Sequence, residues 1–287
     1  VGRHRSPRGP DSDEWVTLLT SSGRQRDAAL TLLHELLLRI ARAELHRRSG
    51  RIEISGKELD DLAHQAAADA MIAVIGKLDQ FRGESRFTTW AYKFVIFEVS
   101  TKLGRHYWRI RSAPLDDDRA ARIPAAFGFQ PESHAQWRDL VEALRTAVYR
   151  DLTDHQRAVF DAAVLNSVPL DAVAVSMGRS RNAVYKTLYD ARQRLRASLV
   201  ASGHLETGPD SRPVRGRDAL QQFLRTDPQD VGCDKAMAIL HIYVDLVNAD
   251  IDAAERYPGV AAHLRECGPC GEDFDGLLAE VTGHPDR

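Results

Sequence analysis

Apolar residues at positions 59, 62, 63, 66, 67, 70, 71, 74, 75 and 78 follow the i, i+3, i+4, i+7 spacing of one helical face. Residues 59–81 are therefore predicted to form an amphipathic helix. Its other face carries Asp60, Asp61, His64, Gln65 and Asp69. The same period puts Leu30, Leu33, Leu37 and Ile40 on one stripe of a helix over 28–46, and a loop follows around 50–56. Ser55, with Glu58 three residues on, has the spacing of a capping box for the next helix.

Over residues 81–111 the apolar stripe turns aromatic. Trp90, Phe94 and Phe97 recur at helical spacing, and Tyr92, Val95, Ile96, Val99 and Leu103 fill a second stripe. The stretch closes on Lys102, Arg105, His106, Tyr107, Trp108, Arg109 and Arg111. Cations that meet phosphates beside rings that stack on unpaired bases suit single-stranded nucleic acid. A core helix followed by a solvated basic turn is the other reading of the same pattern. Periodicity then lapses over 112–133, where Pro114, Asp116, Asp117, Asp118, Pro124, Gly128 and Pro131 predict a linker and a domain boundary.

Helical spacing resumes with Trp137, Leu140, Val141, Leu144 and Val148. Thr153 is the expected cap of a helix to about residue 166, and Pro169 the start of a short helix that turns Val173 and Ala174 inward. With Gly178 in the turn and Ser180 capping a longer helix, this is the grammar of a helix-turn-helix. The last helix sets Arg179, Arg181, Lys186, Arg192, Arg194 and Arg196 against one acid, Asp190. Arg181, Asn182, Tyr185 and Lys186 lie where side chains reach base edges, and the later arginines suit phosphates.

Composition bounds this picture. A chain of 287 residues, 43% hydrophobic and 28% charged, is long enough for two or three small domains. No apolar run approaches the roughly 20 residues of a membrane span, and the first residues lack the hydrophobic centre of a secretory signal, so a cytoplasmic protein is expected. Residues 1–13 read as a disordered basic tail, and 203–217 as a polar tether. The net charge of −2 is unevenly spread: residues 227–287 hold 13 acidic and 4 basic groups, which leaves the preceding body basic. An acidic end beside a basic body can act as an internal competitor for nucleic acid, or can simply keep its own domain soluble.

The three cysteines cluster in that acidic end. His263 and Cys267 lie one helical turn apart, Cys267 and Cys270 form a Cys-x-x-Cys pair, and Cys233 precedes a helix-patterned run over 236–247. Closely spaced thiolates with an imidazole suit tetrahedral zinc. Cys-Gly-Pro-Cys is also a dithiol-exchange sequence, but that chemistry needs a preceding strand, and here a helical segment precedes it. Metal-free structural cysteines are the third reading. His241, in the intervening helix, could compete as a ligand but is read as an ordinary helix residue.

The stretch from DDLAHQAAADAMIAVIGKLDQ to FRGESRFTTWAYKFVIFEVSTKLGR resembles region 2 of bacterial sigma factors, in particular the extracytoplasmic function (ECF) group. The step Phe87, Thr89, Trp90 and Tyr92 matches the opening of the family's helix that melts and reads the minus-ten promoter element. Where that family often has an Arg-Asn pair, this chain has Ile96 and Phe97, so base preference there is not carried over. Residues 152–199 are similar to region 4, which binds the minus-thirty-five element; the two likenesses span residues 28–199, about 60% of the chain. The wording CDKAMAILHIYVD with HLRECGPC looks like the zinc-binding anti-sigma fold, whose ligands fall on Cys233, His263, Cys267 and Cys270.

These resemblances imply an all-α protein with no catalytic activity, which recruits RNA polymerase core to promoter DNA. They imply a region 2 module over 14–111, a linker over 112–133 that threads toward the polymerase active centre, and a region 4 module over 134–200. A tether over 201–226 and an anti-sigma-like zinc domain over 227–287 complete the chain. Asp60, Asp61, His64, Gln65 and Asp69 would dock on the clamp helices of the largest polymerase subunit. Trp90, Tyr92, Lys93, Lys102, Arg105, Arg109, Arg181, Asn182, Tyr185, Lys186 and Arg192 would meet DNA. The acidic zinc domain would regulate the rest in cis, with thiolate oxidation as a further possible trigger. A stand-alone helix-turn-helix regulator with a zinc module, and a thiol-disulfide oxidoreductase acting through Cys267 and Cys270, are the competing classes.

Overall fold

The computed structural model describes residues 10–49, 54, 56–110, 119–129, 134–205 and 215–283, leaving out the side chains of 49, 109–110, 119–121, 134–137 and 215–217. The described residues form helices and turns, with no strand among them. The chain divides into two compact units, Val1–Tyr107 with Cys233–Arg287, and Trp108–Gly232.

The first unit opens with α1 (Ser12–Thr20), whose first two residues overlap the segment expected as a disordered tail. Asp11 and Glu14 explain it: each side chain accepts from the other's backbone N–H, a capping box that satisfies two helix-end donors. Residues 1–9 of that expected tail lie outside the described residues. α2 (Arg24–Ser49) and α3 (Lys57–Gly76) pack against each other, and α4 (Phe87–Ile110) follows a short 3₁₀ turn at Leu78–Gln80. α3 starts after Gly56, whose φ of 61° gives the entry turn without a side-chain cap; Ser55, the expected cap, lies outside the described residues.

Four more helices complete this unit: α11 (Gly232–Asn248), α12 (Ala253–Arg256), α13 (Pro258–Glu266) and α14 (Gly268–Gly283). The C-terminal segment is thus part of the same compact unit as α1 to α4.

In the second unit, α5 (Arg119–Ala126) lies inside the segment expected as a linker without helical structure. Ile123, Phe127 and Phe129 are the reason, since all three are buried in the core with Leu144, Phe160 and Leu195. The Asp116–Asp118 triplet lies outside the described residues. α6 (His134–Arg150) and α7 (Asp154–Phe160) follow, α7 with the expected Thr153 cap closed into a box by Gln156. At Phe160 α7 passes directly into one wider helical turn over Asp161–Leu165, so the helix reaches its expected end at Asn166. α8 (Leu170–Met177) begins after Pro169 and buries Val173 and Ala174. Gly178, at φ 60°, supplies the left-handed turn, and Ser180 caps α9 (Arg181–Ala201). α10 (Arg215–Leu224) occupies part of the expected tether, because Leu220 and Leu224 reach the core.

Candidate functional site

The cysteines and His263 converge. Cys233 lies in the first turn of α11, His263 in α13, Cys267 at the C-cap of α13 and Cys270 in the first turn of α14. All four are buried, and their ligand atoms lie within 4.8 Å of one another. Cys233 Sγ and Cys267 Sγ are 3.9 Å apart, against about 3.8 Å for two thiolates on a tetrahedral ion with metal–sulfur bonds near 2.3 Å. Hydrogen bonding with Cys267 and Cys270, then burial, push the Cys233 thiol well above its ordinary pKa. A metal ion relieves that crowding by exchanging thiol protons for one cation. The Cys3His set can therefore hold a metal ion. Helix α13, not a strand, leads into Cys267, as the sequence indicates.

His241 stands apart from this cluster. Like Asp245 one turn further along α11, it bonds to a residue at or near the start of α4. Lys93 Nζ is 3.0 Å from His241 Nδ1 and 3.3 Å from the Ala238 carbonyl. Nearer the start of α4, the Asp245 carboxylate receives four donors. The Arg86 backbone N–H gives to Oδ2 at 2.7 Å; Arg86 Nε and Nη2 give to Oδ1 at 3.2 and 3.0 Å, and the Thr89 hydroxyl at 2.8 Å. Burial, and then the charge of Lys77, lower Lys93 to about 8, while burial and Lys93 lower His241 to about 3. The imidazole is therefore neutral and its Nδ1 accepts from the ammonium group.

A second polar junction ties α14 to α2 and α4. Asp273, with no exposed surface, accepts from Arg48 Nη2 at 2.7 Å and from the Ser100 hydroxyl at 2.8 Å; Arg48 Nη1 also donates to Ser100 at 2.8 Å. Glu44 pairs with both Arg47 and Arg48, and Arg47 donates to the Glu272 carbonyl at 2.8 Å. Gly276 fits over this group because it has no side chain: a Cβ there would lie 2.5 Å from Glu44 Oε2. Buried charges kept in this way need every partner, since removing one leaves another without compensation.

The sites expected on DNA are divided. Trp90 and Tyr92 are buried, contrary to display on the surface: Trp90 sits among Phe81, Phe87 and Phe94, at centroid distances of 5.3, 5.7 and 4.9 Å. Trp15 stacks on Phe87 and closes the cluster, which explains why these rings pack inward. Lys93 and Lys102 are also buried, Lys102 bonded to Asp69. Arg105 is exposed, and the Arg109 side chain lies outside the described residues.

In the second unit Arg181 donates to Asp171 at 2.6 Å, and Lys186 is exposed. Tyr185 is buried and donates its hydroxyl to Asp230. The neighbouring Tyr189 hydroxyl gives to the Asp227 carbonyl at 3.1 Å, and the Gly232 backbone passes against Asn182. Arg192 is buried against the rings of Tyr185, Tyr189 and Phe223, so it packs and does not face solvent as a phosphate ligand would.

The polar face of α3 is different. Asp61, His64, Gln65 and Asp69 are exposed and Asp60 is half-buried, paired with Arg42 at 2.8 Å. Ile72, 72% exposed, extends this face. Sequence reasoning passed over Ile72, although an isoleucine off the apolar stripe was a readable signal. Asp245 was passed over too; its signal is a lone acid within the apolar run of α11. Arg48, Glu44 and Asp273 gave none.

Comparison with protein-family models, curated proteins and solved structures gives no match in any of the three.

Proposed function

We propose that the chain is a sigma factor of the ECF type, which brings RNA polymerase core to promoters and is restrained in cis by its own C-terminal segment. The observation that carries this reading is the pairing of α11 with α4. Arg86, just before the helix that resembles the promoter-melting helix, and Thr89 and Lys93 on it, are bonded to Asp245 and His241 of the acidic end. The helix-turn-helix of α8 and α9 supports the same reading, with Gly178 and Ser180 in the positions that motif requires. The bare polar face of α3, with Ile72 exposed on it, is a surface on which a polymerase clamp can dock.

The metal of the Cys3His cluster is zinc, whose preference for thiolate and imidazole in a closed tetrahedron matches this donor set. It would tie α11, α13 and α14 together, so that the segment covers α4 as one piece. The test is transcription in vitro with purified core polymerase. The full chain is expected to direct weak initiation at defined sites, and a variant with the segment loosened, Asp273→Ala, stronger initiation at the same sites. Failure of both to initiate, or to co-purify with core polymerase, removes the proposal.

A further inference from the structure

The donors around Asp245 are arranged for an oxyanion with two equivalent charged oxygens. A backbone N–H serves one oxygen, and the Arg86 guanidinium with the Thr89 hydroxyl serves the other. Thr89 has no exposed surface, so its hydroxyl is committed to this point. The cradle lies where the N-terminus of α4, a 24-residue helix, contributes partial positive charge. The anion in it comes from a segment more than 150 residues away in sequence. A non-bridging pair of phosphate oxygens presents the same two acceptors, and arginine with backbone N–H groups is the usual protein answer to them.

We infer that the Arg86–Thr89 cradle is a binding site for a backbone phosphate of nucleic acid, and that the Asp245 carboxylate occupies it as a stand-in. This rests on the nucleic-acid-binding reading above and adds a named site and ligand to it. The second unit holds a parallel case. Asp230, from the same acidic stretch, accepts from Tyr185 on the helix expected to read bases. Carboxylates of one stretch thus lie on donors of both modules. Competition follows directly: nucleic acid and Asp245 exclude each other at Arg86, so loss of the carboxylate frees the site without altering the donors.

The test uses the full chain and a fluorescein-labelled single-stranded deoxyoligonucleotide, with binding followed by anisotropy across a salt series. Asp245→Asn is expected to tighten binding roughly tenfold, as freeing one charge-assisted contact does. It should also steepen the slope of log affinity against log salt by about 0.7, the increment for one more phosphate on a single strand. Adding Thr89→Val or Arg86→Gln to Asp245→Asn should cancel both gains. Helix content measured by circular dichroism selects the variants that are folded. An unchanged affinity in Asp245→Asn overturns the inference, as does a gain that survives both second substitutions. Transcription with core polymerase separates the two readings. A chain that initiates without an Asp245-dependent gain loses only the phosphate site, whereas the gain without initiation keeps the site and loses the sigma-factor reading.

Discussion

Helices α3 and α4 belong to one compact unit, and the sequence leads one to expect a partner for each, yet their outer faces are treated differently. On α3, Asp61, His64, Gln65, Asp69 and Ile72 are exposed. Arg86, at the entry to α4, and Thr89 and Lys93 on it are bonded to α11, and Ser100 of α4 to Asp273 of α14. The contrast teaches what the C-terminal segment guards. It covers the helix proposed to meet DNA and leaves uncovered the helix proposed to meet polymerase. Under the proposed function, a chain restrained in this way would dock on polymerase before its nucleic-acid face is released.

The contrast is broken most severely by removing the metal ligands. Free energies of metal binding in small Cys/His sites are about 10 kcal/mol or more, so Cys270→Ser is expected to lose bound zinc and the hydrogen-exchange protection of α11, α13 and α14. Protection of α2 and α3 should fall far less. Equal loss across the unit would mean that the segment is not a separable cover. Elemental analysis of the wild-type chain is expected to give one zinc per molecule.

Next in size is Asp273→Ala. Because Arg48 and Asp273 are both buried, removing one partner should weaken docking of the segment by about 3 kcal/mol. Denaturant titration followed at Trp90 would measure it, and a change below one third of that would mark the junction as incidental.

Acid acts on the same cover at its other end. His241 has its pKa lowered to about 3 in the docked state, so it binds a proton more readily when undocked. Docking is therefore fully stabilised by this group above about pH 6.5 and loses stability as pH falls toward 3. The loss is about 2 kcal/mol at pH 5. The charged groups facing it are Lys93 and, through Lys93, Lys77. Lys93, lowered to about 8, is charged in both states below that value, so it adds no slope there; docking strengthens again between 8 and 10.5. Hydrogen exchange in α11 at pH 7 and pH 5, corrected for intrinsic rates, should show the acid loosening, and His241→Gln should flatten it.

The smallest effect on stability, and the one that isolates the bare face, is Ile72→Arg. An exposed side chain changes folding by within about 0.5 kcal/mol, but retention of the chain by core polymerase should drop several-fold. Unchanged retention would remove α3 from the docking surface.

Local chemistry in the sequence was legible where a residue acts on its own neighbours. Thr153, Pro169, Gly178 and Ser180 mark the same helix ends in the sequence and in the structure. The Cys3His cluster was legible because few residue types form such sites and their spacing is narrow. What was not legible depends on partners far along the chain. Trp90 looks like a stacking platform until Trp15 and Phe81 close around it. α5 and α10 lie in stretches rich in polar residues and turn formers, and become helices because Phe127 and Leu220 find a shared core. The bond of Asp245 to Arg86 joins positions 159 residues apart, a pairing that no local pattern announces.

Initiation by purified core polymerase on a promoter library tests the central claim most directly, comparing the full chain with Asp273→Ala. The account predicts transcripts that start at the same defined sites with both proteins, and several-fold more of them with the variant. No defined start with either protein, or equal yield from both, would contradict it.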